Sequence, residues 1–533
     1  RFPTPQAVRG PRLGAASRPD RPARLNVLLA LALASSASGA VMVVPPEGPP
    51  TPEGAWVAQA VAEGLPRALG LLAVPAVDRA DRLRAQEALG IPPLTLSRAT
   101  SIRVAEALGA SRLVVGTCQL EGGVVRLALR LLDVERATLS APLMASGPLD
   151  TLPALIQGLA WDIALSGPTR PSRTREEFLA LRAGVPFEAF RSYAQGLAAS
   201  DPALRLKRVK RALALAPGYD EARLTLGRLE IETRDDAAAS ETLARVAPTS
   251  PLARTAQFLR GAALLHLARY REAADLYQRL VGEEASAAAL SNQGVALLRL
   301  GTASPRASVV FRQALEKGAA FPDLSFNLAW ALLLEGEPAA AAFWLRGLTR
   351  REAGDAAAHL VLSWALRKAD REAEAVEEWR IAAALSPSYE PLASPDPSRR
   401  FERILASERP LVPEGEGRSG AEMAATYAAR GEKLAEAGER EGALAELTRA
   451  AYLDPYSARA HVLLARLSSE SDPDKAAGEL RMALWCRDDA TVRLELAGLL
   501  MKLGRGAEAR AEARRVLQAL PDNAAARRLL ETP

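Results

Sequence analysis

Catalysis needs reactive side chains held in the right company, and this chain offers few. Its 533 residues include three histidines, His266, His359 and His461, and two cysteines, Cys118 and Cys486. The cysteines lie far apart and form no C-x-x-C pair, so neither a zinc site nor a disulfide framework is suggested. Both are expected to be free, buried thiols. Asp133 and Asp150 are candidates for a paired-carboxylate acid–base site, but a strand end and a cap explain them as well. No phosphate-binding glycine loop, G-x-S-x-G, H-E-x-x-H or calcium-loop pattern is present. The expectation is a protein that is not an enzyme, with no metal site and no cofactor. A site built from carboxylates alone would leave no such motif.

The elements behind these residues must therefore serve binding. The chain is 49% hydrophobic but only 5% aromatic, with much of the apolar share in alanine and leucine. That mix suits many packed helices. The net charge of +5 comes wholly from residues 1–40, where six arginines stand against Asp20. The remainder is formally neutral, so the basic footprint of a nucleic-acid partner is absent. The arginines lead into "LNVLLALALASSASGA", an apolar run ending in small residues. This reads as a signal peptide over 1–40, with cleavage after Ala40. Residues 25–44 carry no charge, so a retained signal anchor is the alternative. The protein is expected to be periplasmic or secreted, or else anchored in an inner membrane and facing the periplasm. A membrane is a partner only if the segment is retained.

From Val41 short apolar runs alternate with helical patterns. "VMVV" (41–44) reads as a strand, and helices are expected near 56–72, 79–89 and 97–108. "SRLVVGTCQL", "EGG" and "VVRLALRLLDV" read as a hairpin, because Gly122 and Gly123 tolerate positive φ. A further strand at 138–146 and a helix at 149–165 close the unit. The stretch "LGASRLVVGTCQLEGGVVRLALRLLDVERATLSA" resembles the TolB amino-terminal-like domain, a family related to the FlgO type. The resemblance implies a small α/β fold over 41–167, found in exported or envelope-facing proteins, without catalytic residues.

After a linker at 168–185 the chain repeats itself. "AAAHLVLSWALRKADREAEAVEEWRIAAALSP" (356–387) and "AATYAARGEKLAEAGEREGALAELTRAAYLDP" (424–455) share a small residue at the eighth place, Ser363 and Gly431. They share alanine at the twentieth (Ala375, Ala443) and twenty-seventh (Ala382, Ala450), and proline at the last (Pro387, Pro455). Small residues at such points let two helices cross closely, and the proline stops the second. Gly261, Gly294 and Ala329 mark first helices; Ala273, Ala341 and Ala509 mark second ones. Bulky residues such as Leu328 and Tyr277 are expected to fill the space between adjacent units.

This pattern resembles the tetratricopeptide (TPR) repeat, whose period is about 34 residues. Units start at 220, 254, 287, 322, 356, 424, 458 and 490, after a shorter one near 186–217. The fold class expected is α+β: a small α/β domain, then an all-α TPR superhelical solenoid of about nine repeats in two blocks. The blocks run 186–387 and 421–533, the second closed by a charged capping helix at 524–531. A proline-rich insert, 388–420, separates them. A hinge or spacer role is expected for it, with a short helix over Phe401–Ser407; occupation of the groove as an internal ligand is the other reading.

The resemblance also implies a concave groove lined by first-helix residues. Carried onto 254–371, its places fall on Phe258, Leu265, His266, Val295, Leu298 and Arg299. They continue through Phe326, Trp330, Leu333, Leu360, Trp364, Arg367 and Lys368. An apolar lane with two tryptophans, flanked by cations, would hold protein or peptide partners. The competing reading packs Trp330 and Trp364 against a neighbouring repeat or the insert. Asn292 and Asn327 share the sixth place but lack the lysines of a carboxylate clamp. His359 and His461 share the fourth place, a packing position. The function expected is an exported, non-enzymatic scaffold; the alternative is the extracytoplasmic ligand-sensing region of a membrane-anchored regulator.

Overall fold

The computed structural model describes residues 40–91, 96–167, 170–180, 185–301, 306–317, 322–392, 399–408 and 417–531. The expected leader thus lies outside the described residues, save Ala40. Among the described residues no helix is long and apolar enough to cross a membrane.

The N-terminal region is a five-stranded mixed sheet covered on both faces. Strand β1 (Val41–Val43) pairs parallel with β2 (Arg112–Glu121), and β2 pairs antiparallel with β3 (Val124–Asp133). The far edge of β3 is shared by β4 (Thr138–Leu139) and β5 (Leu143–Pro148). Glu121 faces Val124 across a two-residue turn. Gly122 (φ +55°) and Gly123 (φ +79°) supply the left-handed geometry that matches the twist of the strands. Alternation along β3 sends Val125, Leu127, Leu129 and Leu131 to one face, against helices Pro52–Leu71 and Leu152–Leu165. Met42, Leu113 and Leu132 take the other face, with helices Arg79–Ala88 and Arg98–Ala107.

Asp133 closes β3 and accepts the Arg136 N–H at 2.8 Å. Asp150 follows β5 near Val124, at the other end of the same strand. Ten residues of strand separate the two carboxylates by about 30 Å, so they form no pair. Cys118 is buried and Cys486 only partly so; both are free.

The expected linker carries a helix, Arg175–Ala180, whose Phe178 is fully buried and stacks on Trp161 at 5.9 Å. Paired helices then run to the C-terminus, beginning with Phe187–Ala198 and Pro202–Leu215. Phe190 and Ala194 of the first pair enter the head's own core. Arg67–Glu221 (2.5 Å) and Arg228–Asp78 (2.7 Å) bridge the same junction. Head and first block are thus packed together.

The small residues act as their spacing requires. A Cβ at Gly261 would meet the Tyr277 ring at 2.5 Å, and one at Gly294 the Phe311 ring at 2.7 Å. Tyr277 packs against Gly261 of its own unit and also meets Asn292 of the next one at 2.9 Å, as expected of a residue between units. Its hydroxyl donates to Phe258 O at 2.8 Å. The second block begins earlier than expected, with helix Gly417–Glu436, and folds back onto the first. Tyr456 stacks on Trp344 at 4.2 Å and donates its hydroxyl to Trp344 O. Helix Ala524–Glu531 caps the array, burying Ala526.

His359 and His461 are packing residues with a common arrangement. His359 Nδ1 lies 2.5 Å from Glu378 and Nε2 3.2 Å from Ala353 O. His461 Nδ1 lies 2.7 Å from Glu479 and Nε2 2.9 Å from Pro455 O. With acceptors at both nitrogens, the doubly protonated ring fits best. The Glu378 hydrogen bond raises the pKa of His359. For His461 burial pulls the value down, but Glu479 and the Pro455 carbonyl outweigh it and the net shift is upward. A raised folded value means the stabilisation is full below the unfolded value of 6.5 and fades as pH climbs through the folded one. Urea midpoints are expected to fall as pH rises from 6.5 through the raised folded values, and H359Q/H461Q is expected to flatten that fall. An unchanged slope in the double variant would contradict this account.

Candidate functional site: a peptide groove filled by the chain itself

The groove of the first block is occupied by residues 399–408. They form no helix: the segment lies extended across the first helices, running from the later repeats back to the earlier ones. The expected helix over Phe401–Ser407 is replaced by backbone bonding to two side chains. Asn292, on helix Ala287–Leu300, donates to Leu405 O and accepts the Leu405 N–H, both at 2.9 Å. Asn327, on helix Pro322–Leu334, does the same for Arg403, at 2.8 Å and 2.7 Å. The two asparagines hold the same place in consecutive units, and their targets are two residues apart. In extended chain, residues i and i+2 present the same edge, so the repeat and the strand are in register.

Each asparagine is itself fixed. Asn292 also donates to the Tyr277 hydroxyl at 2.9 Å, and Asn327 to Ser291 at 3.3 Å; both are fully buried. Amide side chains held this way bind peptide bonds without reading side chains.

Side chains of the segment meet charged and aromatic partners. Arg299 forks onto the Glu402 carboxylate and also donates to Arg399 O at 2.6 Å. The Glu402 side chain is 4% exposed. Arg403 reaches Asp323 (3.0 Å) and Asp355, with its guanidinium 4.0 Å from the Phe326 ring centroid. Arg254 grips Glu408 through two bonds, at 3.0 and 2.7 Å, and Ser286 adds a third at 2.8 Å. Phe401 stands 5.5 Å from both Trp330 and Trp364, edge to face. Trp364 Nε1 donates to Leu392 O at 2.9 Å.

Four of the sequence-predicted groove residues, Arg299, Phe326, Trp330 and Trp364, therefore meet the insert. The tryptophans are 1% and 0% exposed, so no open aromatic lane exists. Phe258, Leu265, Val295, Leu333 and Leu360 are buried in the solenoid core, with Leu298 partly buried against it. His266 lies 2.8 Å from Asp236, Arg367 is paired with Glu372, and Lys368 is exposed. The sequence reading missed Arg254, Ser286, Asp323 and Asp355 as contacts.

At its far end the segment touches the head, where Ser407 donates to Asp81 at 2.5 Å. This point opens on a cleft of about 1170 Å³ between head and first block, whose walls include Glu63, Arg79, Asp81, Tyr193 and Arg228. Burial and the neighbouring Asp78 push the Asp81 carboxyl up, and burial pushes Glu63 up.

The architecture is thus a small mixed-sheet head followed by paired helices consistent with a TPR solenoid. No family model matches the chain, and no curated protein matches it. Among solved structures it is similar to YrrB, described as a TPR protein with an unusual peptide-binding site. That match has 18% identity and a TM-score of 0.29, over 35% of this chain and 95% of that one. It is also similar to MamA, at 15% identity and a TM-score of 0.28, over 32% and 94%. A tetratricopeptide repeat protein from Parabacteroides merdae ATCC 43184 matches at 14% identity and 0.28, over 53% and 98%.

Proposed function

We propose that the chain is an exported, non-enzymatic scaffold that holds protein or peptide partners, in extended form, in the groove of its first helical block. The observation that carries this is the pair of asparagine clamps, each satisfying both backbone polar groups of one residue. Such contacts recognise any extended chain, and the groove is built to receive one. Export is supported by the apolar leader and by the head's resemblance to the TolB amino-terminal-like domain.

The test uses full-length protein in which 399–408 is replaced by glycine and serine, keeping chain length. A labelled peptide of sequence RRFERILASE is expected to bind saturably in fluorescence anisotropy, and N292A/N327A in that background is expected to abolish binding. No binding to the opened protein would sink the reading. Sequencing of the mature N-terminus checks export: a start at Val41 supports it.

A second reading is favoured by the cleft between head and first block, whose mixed carboxylates and arginines suit a small polar ligand. It makes the chain the ligand-sensing region of a membrane-anchored regulator. A mature protein starting at Val41 lacks the anchor that this reading requires.

A further inference from the structure

The filled groove carries information about what else would fill it, given that it is a peptide site. Backbone clamping alone is indifferent to sequence, but the side-chain pockets are not. Glu402 is almost sealed beneath Arg299, so a neutral or basic residue there would leave a nearly buried guanidinium unpaired. Arg403 sits between Asp323 and Asp355 with its plane on Phe326, where an acidic residue would meet two carboxylates. Glu408 lies in the fork of Arg254 and beside Ser286, which caps helix Ala287–Leu300. An anion is favoured there by the positive end of the helix dipole. Phe401 fills the space between the two tryptophans.

We infer that the external partner of this groove is an extended peptide carrying an aromatic–Glu–Arg core with a second carboxylate five residues beyond the arginine. Residues 399–408 are the chain's own copy of that ligand, and they compete with it. The competitor is tethered at both ends, so its effective concentration is on the order of millimolar. If the tethered segment's own affinity for the groove is about 10 μM, a partner peptide is then weakened roughly 100-fold in the unaltered chain.

The experiment compares peptides on two full-length proteins, the unaltered chain and the one with glycine and serine at 399–408. On the opened protein, peptides with Glu402→Arg or Arg403→Glu are expected to bind about 100-fold more weakly than RRFERILASE. Arg299→Glu in the opened protein is expected to weaken RRFERILASE and to recover most of the affinity of the Glu402→Arg peptide. On the unaltered chain RRFERILASE is expected to bind about 100-fold more weakly than on the opened one. Charge-reversed peptides that bind as well as the parent would overturn the inferred sequence preference while leaving the peptide groove itself intact. Equal binding to both proteins would overturn the competitor role. Failure of every peptide on the opened protein would remove the scaffold reading beneath both.

Discussion

Replacing Asn292 and Asn327 together with alanine is expected to release residues 399–408 and to make the peptide bond after Arg403 a site of rapid tryptic cleavage. Four side-chain-to-backbone hydrogen bonds disappear in that variant. At about 1 kcal/mol net for each, the open form gains about 4 kcal/mol relative to the closed one. That corresponds to about three powers of ten in the open-to-closed ratio, enough to make the open form the major population. When reclosing outpaces cleavage, the cutting rate follows that population. Alanine leaves both asparagine-bearing helices helix-competent, so far-ultraviolet dichroism should stay near the parent. Asn292→Asp keeps the size but loses the donor to Leu405 O, and should fall between parent and double variant. Cleavage at the parental rate in the double alanine variant would refute the clamp.

Trp364→Ala is expected to lower unfolding stability by about 3–5 kcal/mol, the range for removing a buried aromatic ring. The ring is 0% exposed, touches Trp330 and Phe401, and bonds the Leu392 carbonyl through Nε1. Its loss empties a space walled by two chain segments that approach from opposite directions in sequence. Trp364→Phe keeps much of the volume but not the donor, so its cost should be smaller, about half. Urea denaturation gives both values, and a loss under about 1 kcal/mol for alanine would mean that the insert does not seat against this ring. In an open groove the same substitution would remove a recognition contact and leave stability nearly unchanged. The burial decides between these accounts.

Much of the fold can be read from local rules. The hairpin follows from two glycines between alternating strands, and helix starts at Asp220, Ala287, Pro322, Ala356 and Ala458 fall on the repeat phase to the residue. The groove's occupant cannot be read that way. Nothing inside "RRFERILASE" dictates extension; its conformation is imposed by Asn327 and Asn292, which bond it across 76 and 113 residues of sequence. The available signal was the recurrence of asparagine at one place in consecutive units, which fits backbone clamping as well as it fails carboxylate clamping. Tyr456 is a similar case. Its partner Trp344 lies in the other block, 112 residues away, and repeat periodicity describes only neighbours. Arg254, Asp323 and Asp355 look like ordinary surface charges until their counter-charges are placed opposite them.

The position of the occupant in the sequence sets an order of events at birth. Ribosomes emit a chain from its N-terminus at about 5–20 residues per second, so the head and first block are complete before Leu405 and Glu408 leave the exit tunnel. For that interval each nascent molecule exposes Asn292, Asn327 and the tryptophan pair with no internal rival. A partner already present where the emerging chain folds has its easiest access then, and one arriving afterwards must wait for the segment to lift.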